Sequence, residues 1–171
     1  MESNPWFLFL WRNMEINEFR NKEIEYCSTH LPYFVTAYGH IEDRNQPENI
    51  IQPFRMWPEQ VQALKDMKDH KWTIILKARQ LGITWLVLHY AAWMMLCFAG
   101  KSVIGTSKSE TEAMELVRRL ALILRNMPEL IAEKGSVPKG WKGPWFENTA
   151  LILKIHFPGK SDSTKKKKKT L

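Results

Sequence analysis

The spacing of apolar positions differs between the two parts of the chain. In the first part it is helical: residues 14–29 carry an apolar stripe on a polar background, and residues 58–69 repeat that spacing. Leu31 and Pro32 are expected to end the first helix. Residues 41–53, rich in Asn, Asp and Pro, predict a loop. The first part therefore predicts helices joined by irregular segments.

The second part alternates short apolar runs with helical patterns. Residues 72–76 (WTIIL) are rich in β-formers, which is typical of a strand buried on both faces. An apolar helix is predicted over 84–98, and a second strand over 102–105. A helix opened by a Ser-x-x-Glu capping box follows over 109–126, and a third strand over 150–157. This order indicates an α/β fold with a parallel sheet flanked by helices.

The composition is that of a globular protein, with 44% hydrophobic and 25% charged residues among 171. Cys27 and Cys97 have no metal-ligand spacing, and neither do the five histidines; His89 is expected to be a core residue. These features favour a reducing compartment over a disulfide scaffold or a zinc module. The longest apolar stretch, 84–99, is shorter than the roughly 20 residues that cross a bilayer, so the sequence predicts a soluble cytoplasmic protein.

The net charge of +7 is unevenly distributed. It is −4 over residues 1–50, +7 over 51–160 and +4 over 161–171, where Lys165 to Lys169 form an unbroken run. A basic middle suits a polyanion such as a nucleotide or a nucleic acid. The self-repelling lysines predict a disordered tail. A shifted or truncated reading frame is favoured over a nucleic-acid-binding arm, an anionic-membrane patch or a nuclear-localisation run, because the predicted sheet is unfinished there.

The clearest chemical pattern is the loop from Lys77 to Ile83, which joins the first predicted strand to the apolar helix. Gly82 stands just before Thr84, where that helix begins. Phosphates bind at such places because a helix N-terminus offers unpaired N–H groups and a favourable dipole. Thr84 occupies the position of the Mg²⁺-binding hydroxyl in GxxxxGK[ST]. The first glycine and the usual lysine are absent, so Lys77 and Arg79 are alternative phosphate cations, and an ordinary surface loop is the competing interpretation.

A second pattern, Phe54-x-x-Trp57-Pro58-x-Gln60, precedes the helix that leads to this loop. The amide of Gln60 can make paired hydrogen bonds to an adenine edge, with an aromatic ring stacking nearby. When Gln60 is considered alone, a solvated position on the helix surface is the favoured interpretation, since glutamines are mostly exposed. The nearby loop shifts the interpretation towards a nucleotide.

These residues together resemble the N-terminal ATPase region of tailed-phage terminase large subunits, the motors that pump DNA into viral capsids. The resemblance runs in order over about residues 25–157. It rests on LPYF at 31–34 with Tyr38, on residues 53–60, on KARQLGITW at 77–85, on GTS at 105–107 and on the helix that ends in Met127-Pro128.

The resemblance implies an incomplete α/β P-loop sheet of the ASCE type, with a helical and aromatic leader over 1–50 and a partial ATPase domain over 51–160. It also implies ATP and Mg²⁺ as cofactors. Gln60 would contact adenine, Lys77 would sense phosphate, Arg79 would be a second cation and Thr84 would bind Mg²⁺. The complete predicted nucleotide site comprises Gln60, Lys77, Ala78, Arg79, Gln80, Leu81, Gly82, Ile83 and Thr84.

The implied partners are double-stranded DNA, a small terminase subunit and a portal, in the host cytoplasm, with a ring oligomer only for the complete protein. Hydrolysis in this family needs an apolar strand ending in Asp-Glu. The chain holds no adjacent Asp-Glu, since Glu42-Asp43 has the reverse order. We therefore expect the ATP-binding front of a motor without its Walker B acids or nuclease domain, inactive alone. The alternatives are a helicase-like translocase fragment and a non-catalytic nucleic-acid-binding module.

Overall fold

The computed structural model describes residues 16–43, 45–78 and 80–158 of the chain. Its helices are α1 (Ile16–Thr29), α2 (Leu31–Tyr38), α3 (Pro58–Asp69), α4 (Ile83–Cys97) and α5 (Glu110–Arg125). Its strands are β1 (His40–Glu42), β2 (Ile51–Pro53), β3 (Ala132–Glu133), β4 (Trp145–Asn148) and β5 (Leu153–His156). Helices thus form most of the regular structure in the described ranges, and the predicted tail over 161–171 lies outside them.

The helices with the clearest sequence signals are confirmed to within one residue at each end. They are α3, α4 and α5, predicted over 58–69, 84–98 and 109–126. At the start of α5 the hydroxyl of Ser109 accepts a hydrogen bond from the Glu112 N–H at 3.3 Å. That bond satisfies one of the amide groups that a helix start leaves unpaired.

The first helix ends before Leu31 and Pro32, as predicted, since α1 ends at Thr29. These two residues then begin α2, a helix that the sequence did not predict, because proline fits the first turn of a helix, where no N–H partner is needed. One local prediction in this part of the chain is wrong. The predicted loop over 41–53 contains most of an antiparallel hairpin, in which β1 pairs with β2 and Ile41 lies opposite Gln52. The three-residue strands were too short to produce a period-2 pattern.

The described residues do not show the extended parallel sheet that the alternating pattern predicts. β1 and β2 form one small sheet, and β3, β4 and β5 form another, in which β3–β4 is parallel and β4–β5 antiparallel. The third predicted strand is present as β5. Residues 72–76 and 102–105 lie in irregular backbone without a strand partner among the described residues. A strand needs a neighbour to bond its backbone, and neither segment has one.

The core is organised around α4, whose sequence is apolar on almost every side. The helices α1, α2 and α3 pack on it, and so does α5. Trp93 is 4% exposed, and its indole N–H donates to the Cys27 carbonyl of α1 at 2.7 Å. The described residues include no helix long and apolar enough to cross a membrane, α4 included.

His89 lies in this core, as the sequence predicts. It is fully buried, and its Nδ1–H donates to the Trp85 carbonyl at 2.7 Å. The ring stacks on Phe54 with the centroids 5.0 Å apart. Burial lowers the pKa of His89 to about 4, because a low-dielectric core disfavours the charged form. His89 is therefore neutral at physiological pH and serves packing.

Candidate functional site

The loop before α4 enters the helix through two left-handed backbone positions. Gln80 has φ of 64° and Gly82 has φ of 67°. Glycine adopts this conformation without a steric penalty, whereas Gln80 carries a β-carbon that makes it costly. Gly82 is the N-cap of α4 and supplies no side chain to the helix start. The first amide groups of α4 therefore have no capping side chain from that position.

Gln60 connects this loop to the start of α3. It is 5% exposed, so it is not a solvated helix residue. Its Oε1 accepts from the Trp57 N–H at 2.9 Å, and its Nε2 donates to the Leu81 carbonyl at 2.9 Å. A β-carbon at Gly82 would lie 2.9 Å from Gln60 Nε2. Glycine is thus favoured at position 82 by its φ angle, and a side chain there would have to displace the end of Gln60.

A polar cavity of about 660 Å³ opens beside this amide bridge. The hairpin, the start of α3 and the loop before α4 contribute its walls. Its lining residues are Ile41, Asp43, Asn45, Gln46, Gln52, Pro53, Phe54, Arg55, Trp57, Gln60, Gln80, Leu81 and Gly82. The ring of Phe54 is committed to the stack with His89, whereas Trp57 is 55% exposed. The indole of Trp57 is therefore the aromatic face open to a flat ligand.

A second cavity, an apolar groove of about 560 Å³, lies between α4 and α5 and also touches residues 103–105 and 151–153. The predicted site residues divide between the two cavities. Gln60, Gln80, Leu81 and Gly82 line the polar cavity, Ile83 and Thr84 line the groove, and Lys77 and Ala78 line neither. Arg79 lies outside the described residues. The loop thus separates the base-side candidates from the predicted Mg²⁺ ligand.

Lys77 carries a positive charge that no described carboxylate neutralises. The side chain is exposed, and its Nζ donates to the neighbouring Ala78 carbonyl at 3.3 Å. A lysine in this state can turn to an anion without first breaking an ion pair, since the neutral carbonyl is its sole hydrogen-bond acceptor in the described ranges. Its position at the start of the loop makes it a candidate phosphate cation.

The arginines near the middle of α5, unlike Lys77, are paired with carboxylates. Arg118 and Arg119 both bind Glu115, at 2.6 and 2.8 Å, and Arg118 also binds Glu42 at 2.5 Å. The hydrogen bond from Arg118 is the largest of several contacts that lower the pKa of Glu115 to about 2. Much of the charge on this helix is therefore compensated within the protein, which weakens it as a surface for polyanions.

Sequence reasoning missed the hairpin side of the polar cavity. Asp43 and Gln52 line this cavity although they lie in the segment predicted as a loop. The Asp43 carboxylate accepts from the Asn45 N–H at 3.0 Å and so shapes the turn. The hairpin strands contain only the apolar residues Ile41 and Ile51, which are too few to produce a recognisable strand pattern in the sequence.

The described ranges contain no group of three His, Cys, Asp or Glu side chains that could hold a metal ion. A cation bound here would depend on a ligand such as a nucleotide for most of its coordination. No protein-family model, curated protein or solved structure matches the chain. The interpretation of the site therefore rests on its own geometry.

Proposed function

We propose that the chain binds ATP with Mg²⁺, as the ATP-binding part of a viral DNA-packaging motor of the terminase large-subunit type. The observation that carries the proposal is the amide bridge of Gln60 between Trp57 at the start of α3 and Leu81 in the loop. This bridge makes the polar cavity and the loop one unit. A ligand that fills the cavity would therefore reach the loop without a rearrangement of either.

The base belongs in the polar cavity, whose volume of about 660 Å³ lies within the range of small-molecule sites. Trp57 offers an aromatic face for stacking. Gln60 uses one amide hydrogen and one oxygen lone pair in its bridge, so one donor and one acceptor remain. An adenine edge presents the complementary acceptor and donor, which supports a purine base.

The phosphates belong along residues 77–84. Lys77 supplies an uncompensated positive charge, and Arg79 supplies a second cation by the resemblance. The first turn of α4 offers N–H donors and the positive end of its dipole. A triphosphate would pass Gly82, which has no side chain of its own, and bring its terminal phosphates and Mg²⁺ to the hydroxyl of Thr84.

The wider assignment follows from the resemblance. The partners would be double-stranded DNA, a small terminase subunit and a portal in the host cytoplasm. The sequence holds no adjacent Asp-Glu, so we propose binding without hydrolysis for these 171 residues. A helicase-like translocase would share the same site. The paired arginines of α5 disfavour the third candidate, a module that only binds nucleic acid.

The decisive experiment is titration calorimetry of Mg²⁺-ATP with the parent protein, with Lys77→Ala and with the control Lys101→Ala. Loss of a charged hydrogen bond to phosphate costs about 1.5–3 kcal/mol, so we expect Lys77→Ala to weaken binding roughly 10- to 100-fold. Lys101 is also an exposed lysine but lies after α4, so its removal should change little. Equal affinities for the two variants would show the phosphate-loop proposal to be wrong.

The same titration separates the metal and base contacts. Thr84→Ala should bind ATP alone as the parent does and lose the gain in affinity that Mg²⁺ provides. Its control is Thr111→Ala, an exposed threonine in the first turn of α5. Gln60→Ala should reduce the preference for ATP over CTP. A preference that survives this change would place the base elsewhere.

A further inference from the structure

The polar cavity contains a cation that the proposed base and phosphate contacts do not use. Arg55 is the one lysine or arginine among the described residues that line this cavity, and its side chain is exposed. Asp43 lines the same cavity, but no ion pair joins the two side chains, and the guanidinium makes no hydrogen bond to a described residue. Its five N–H donors are therefore available to an anionic ligand.

The backbone before α3 places Arg55 on the same side of the chain as Trp57. Phe54 is 4% exposed and Met56 packs against the core, whereas Arg55 and Trp57 are exposed and line the cavity. This alternation is that of an extended segment, in which side chains two positions apart project to the same side. The Cα atoms of Arg55 and Trp57 are then about 6–7 Å apart, so one nucleotide can contact both side chains.

We propose that Arg55 binds the α-phosphate of the nucleotide, the phosphate nearest the base. This inference rests on the proposed function and adds a residue to it. Because one ribose separates a base from its first phosphate, a base held by Trp57 and Gln60 keeps that phosphate in or beside the polar cavity. Lys77 and Thr84 do not line this cavity, so they are left to the later phosphates. A guanidinium binds phosphate through two parallel N–H···O bonds, which fix its orientation.

This assignment divides the recognition of phosphate between two cations. Arg55 would contribute to the binding of every nucleotide that carries a 5′-phosphate, AMP included. Lys77, at the start of the loop before α4, would contribute mainly to nucleotides with further phosphates. Adenosine would gain from neither cation, because it carries no charge to neutralise. Comparison of adenosine, AMP and ATP therefore separates the contact of Arg55 from that of Lys77.

The test is equilibrium dialysis of adenosine, AMP and Mg²⁺-ATP with the parent protein, with Arg55→Ala and with the control Lys65→Ala. We expect Arg55→Ala to weaken the binding of AMP and of ATP roughly 10- to 100-fold, the effect of losing a charged hydrogen bond to phosphate. The affinity for adenosine should stay as in the parent. Lys65 is exposed on α3 and lines neither cavity, so its removal changes the net charge equally without touching the site. Lys77→Ala should weaken ATP more than AMP.

The outcomes separate this inference from the proposed function. If the parent binds ATP and Arg55→Ala binds AMP as tightly as Lys65→Ala does, the assignment of Arg55 is overturned and the proposed function stands. An equal loss for adenosine and AMP would also overturn it, because Arg55 would then contact the nucleoside or shape the cavity wall. A parent that binds none of the three ligands would overturn both. Circular dichroism checks that Arg55→Ala keeps its helices, which is expected because the side chain is exposed.

Discussion

Helix α4 has one covered side and one open side, although its sequence is apolar on both. On the covered side Leu86 is 0% exposed, and Trp93 hydrogen-bonds to α1. On the open side Val87 is 42% exposed and lines the apolar groove. A helix that is apolar all round is normally buried on every side. Two apolar sides of one helix therefore differ, since one side is packed against other helices and the other side is partly exposed to solvent.

The difference depends on what each side requires as a neighbour. The covered side faces helices, and a helix satisfies its own backbone before it packs. The open side shares its groove with α5 and with residues 103–105. Those residues belong to a segment that was predicted as a strand, and a strand cannot satisfy its backbone without a partner. Ile104 is consequently 90% exposed. The burial of a helix therefore follows from its local pattern, whereas the burial of a strand depends on pairing with residues elsewhere in the chain.

The largest test of this comparison replaces one residue on each side of α4. Leu86→Ala should lower the free energy of unfolding by about 2–5 kcal/mol, because it leaves a cavity in a packed core. Val87→Ala should change it by less than about 0.5 kcal/mol, because its site is already open to solvent. Urea unfolding followed by circular dichroism measures both values.

An equal loss for the two variants would contradict the comparison. It would mean that the groove is covered in solution. Repeating the Val87→Ala measurement at several protein concentrations would then show whether a second copy covers it, because dissociation makes the stability of a dimer depend on concentration.

His89 tests the covered side through pH. Burial lowers its pKa from 6.5 to about 4, so the unfolded chain binds a proton at higher pH than the folded protein does. Stability is therefore full above about pH 6.5 and falls as the pH drops towards 4. We expect a loss of about 2 kcal/mol between pH 7.5 and 5, measured as the shift of the urea midpoint.

Two variants isolate the contribution of His89. His89→Gln keeps a donor for the Trp85 carbonyl but does not titrate, so most of the loss between pH 7.5 and 5 should disappear. The control His70→Gln removes an exposed histidine, and the loss of stability between pH 7.5 and 5 should remain in this variant. Glu115, whose pKa is about 2, titrates below this range. An unchanged pH dependence in His89→Gln would mean that another group, and not His89, causes the loss.

The helices could be predicted because their signals are local. Pro58 and Ser109 mark the starts of α3 and α5, and the apolar run predicts α4. The segments that were predicted wrongly depend on distant partners, and the hairpin of β1 and β2 joins residues about ten positions apart. The start of α2 was missed for a local reason, because Pro32 permits a helix start as well as a helix end. The pattern over 72–76 predicted the residue types of a strand but could not supply its neighbour.

The candidate site was predictable in its parts but not in its arrangement. The glycine at 82 and its place before α4 followed from the spacing, and the positive φ accounts for the residue. The bond from Gln60 to the Leu81 carbonyl spans 21 positions, and no sequence period reports it. The sequence also did not predict that Gln60 and Thr84 line different cavities, because the resemblance assigned both residues to one site.

The smallest test concerns the start of α5, which borders the open side. Ser109→Ala removes the acceptor for the Glu112 N–H and should lower the free energy of unfolding by about 1 kcal/mol. Ser102→Ala, in the irregular segment, should cost nothing measurable, since the structure gives its hydroxyl no hydrogen bond to a described residue. The urea midpoints of the two variants measure both changes in the free energy of unfolding. No loss for Ser109→Ala would mean that the first turn of α5 is already frayed in solution, so that the open side extends into the helix itself.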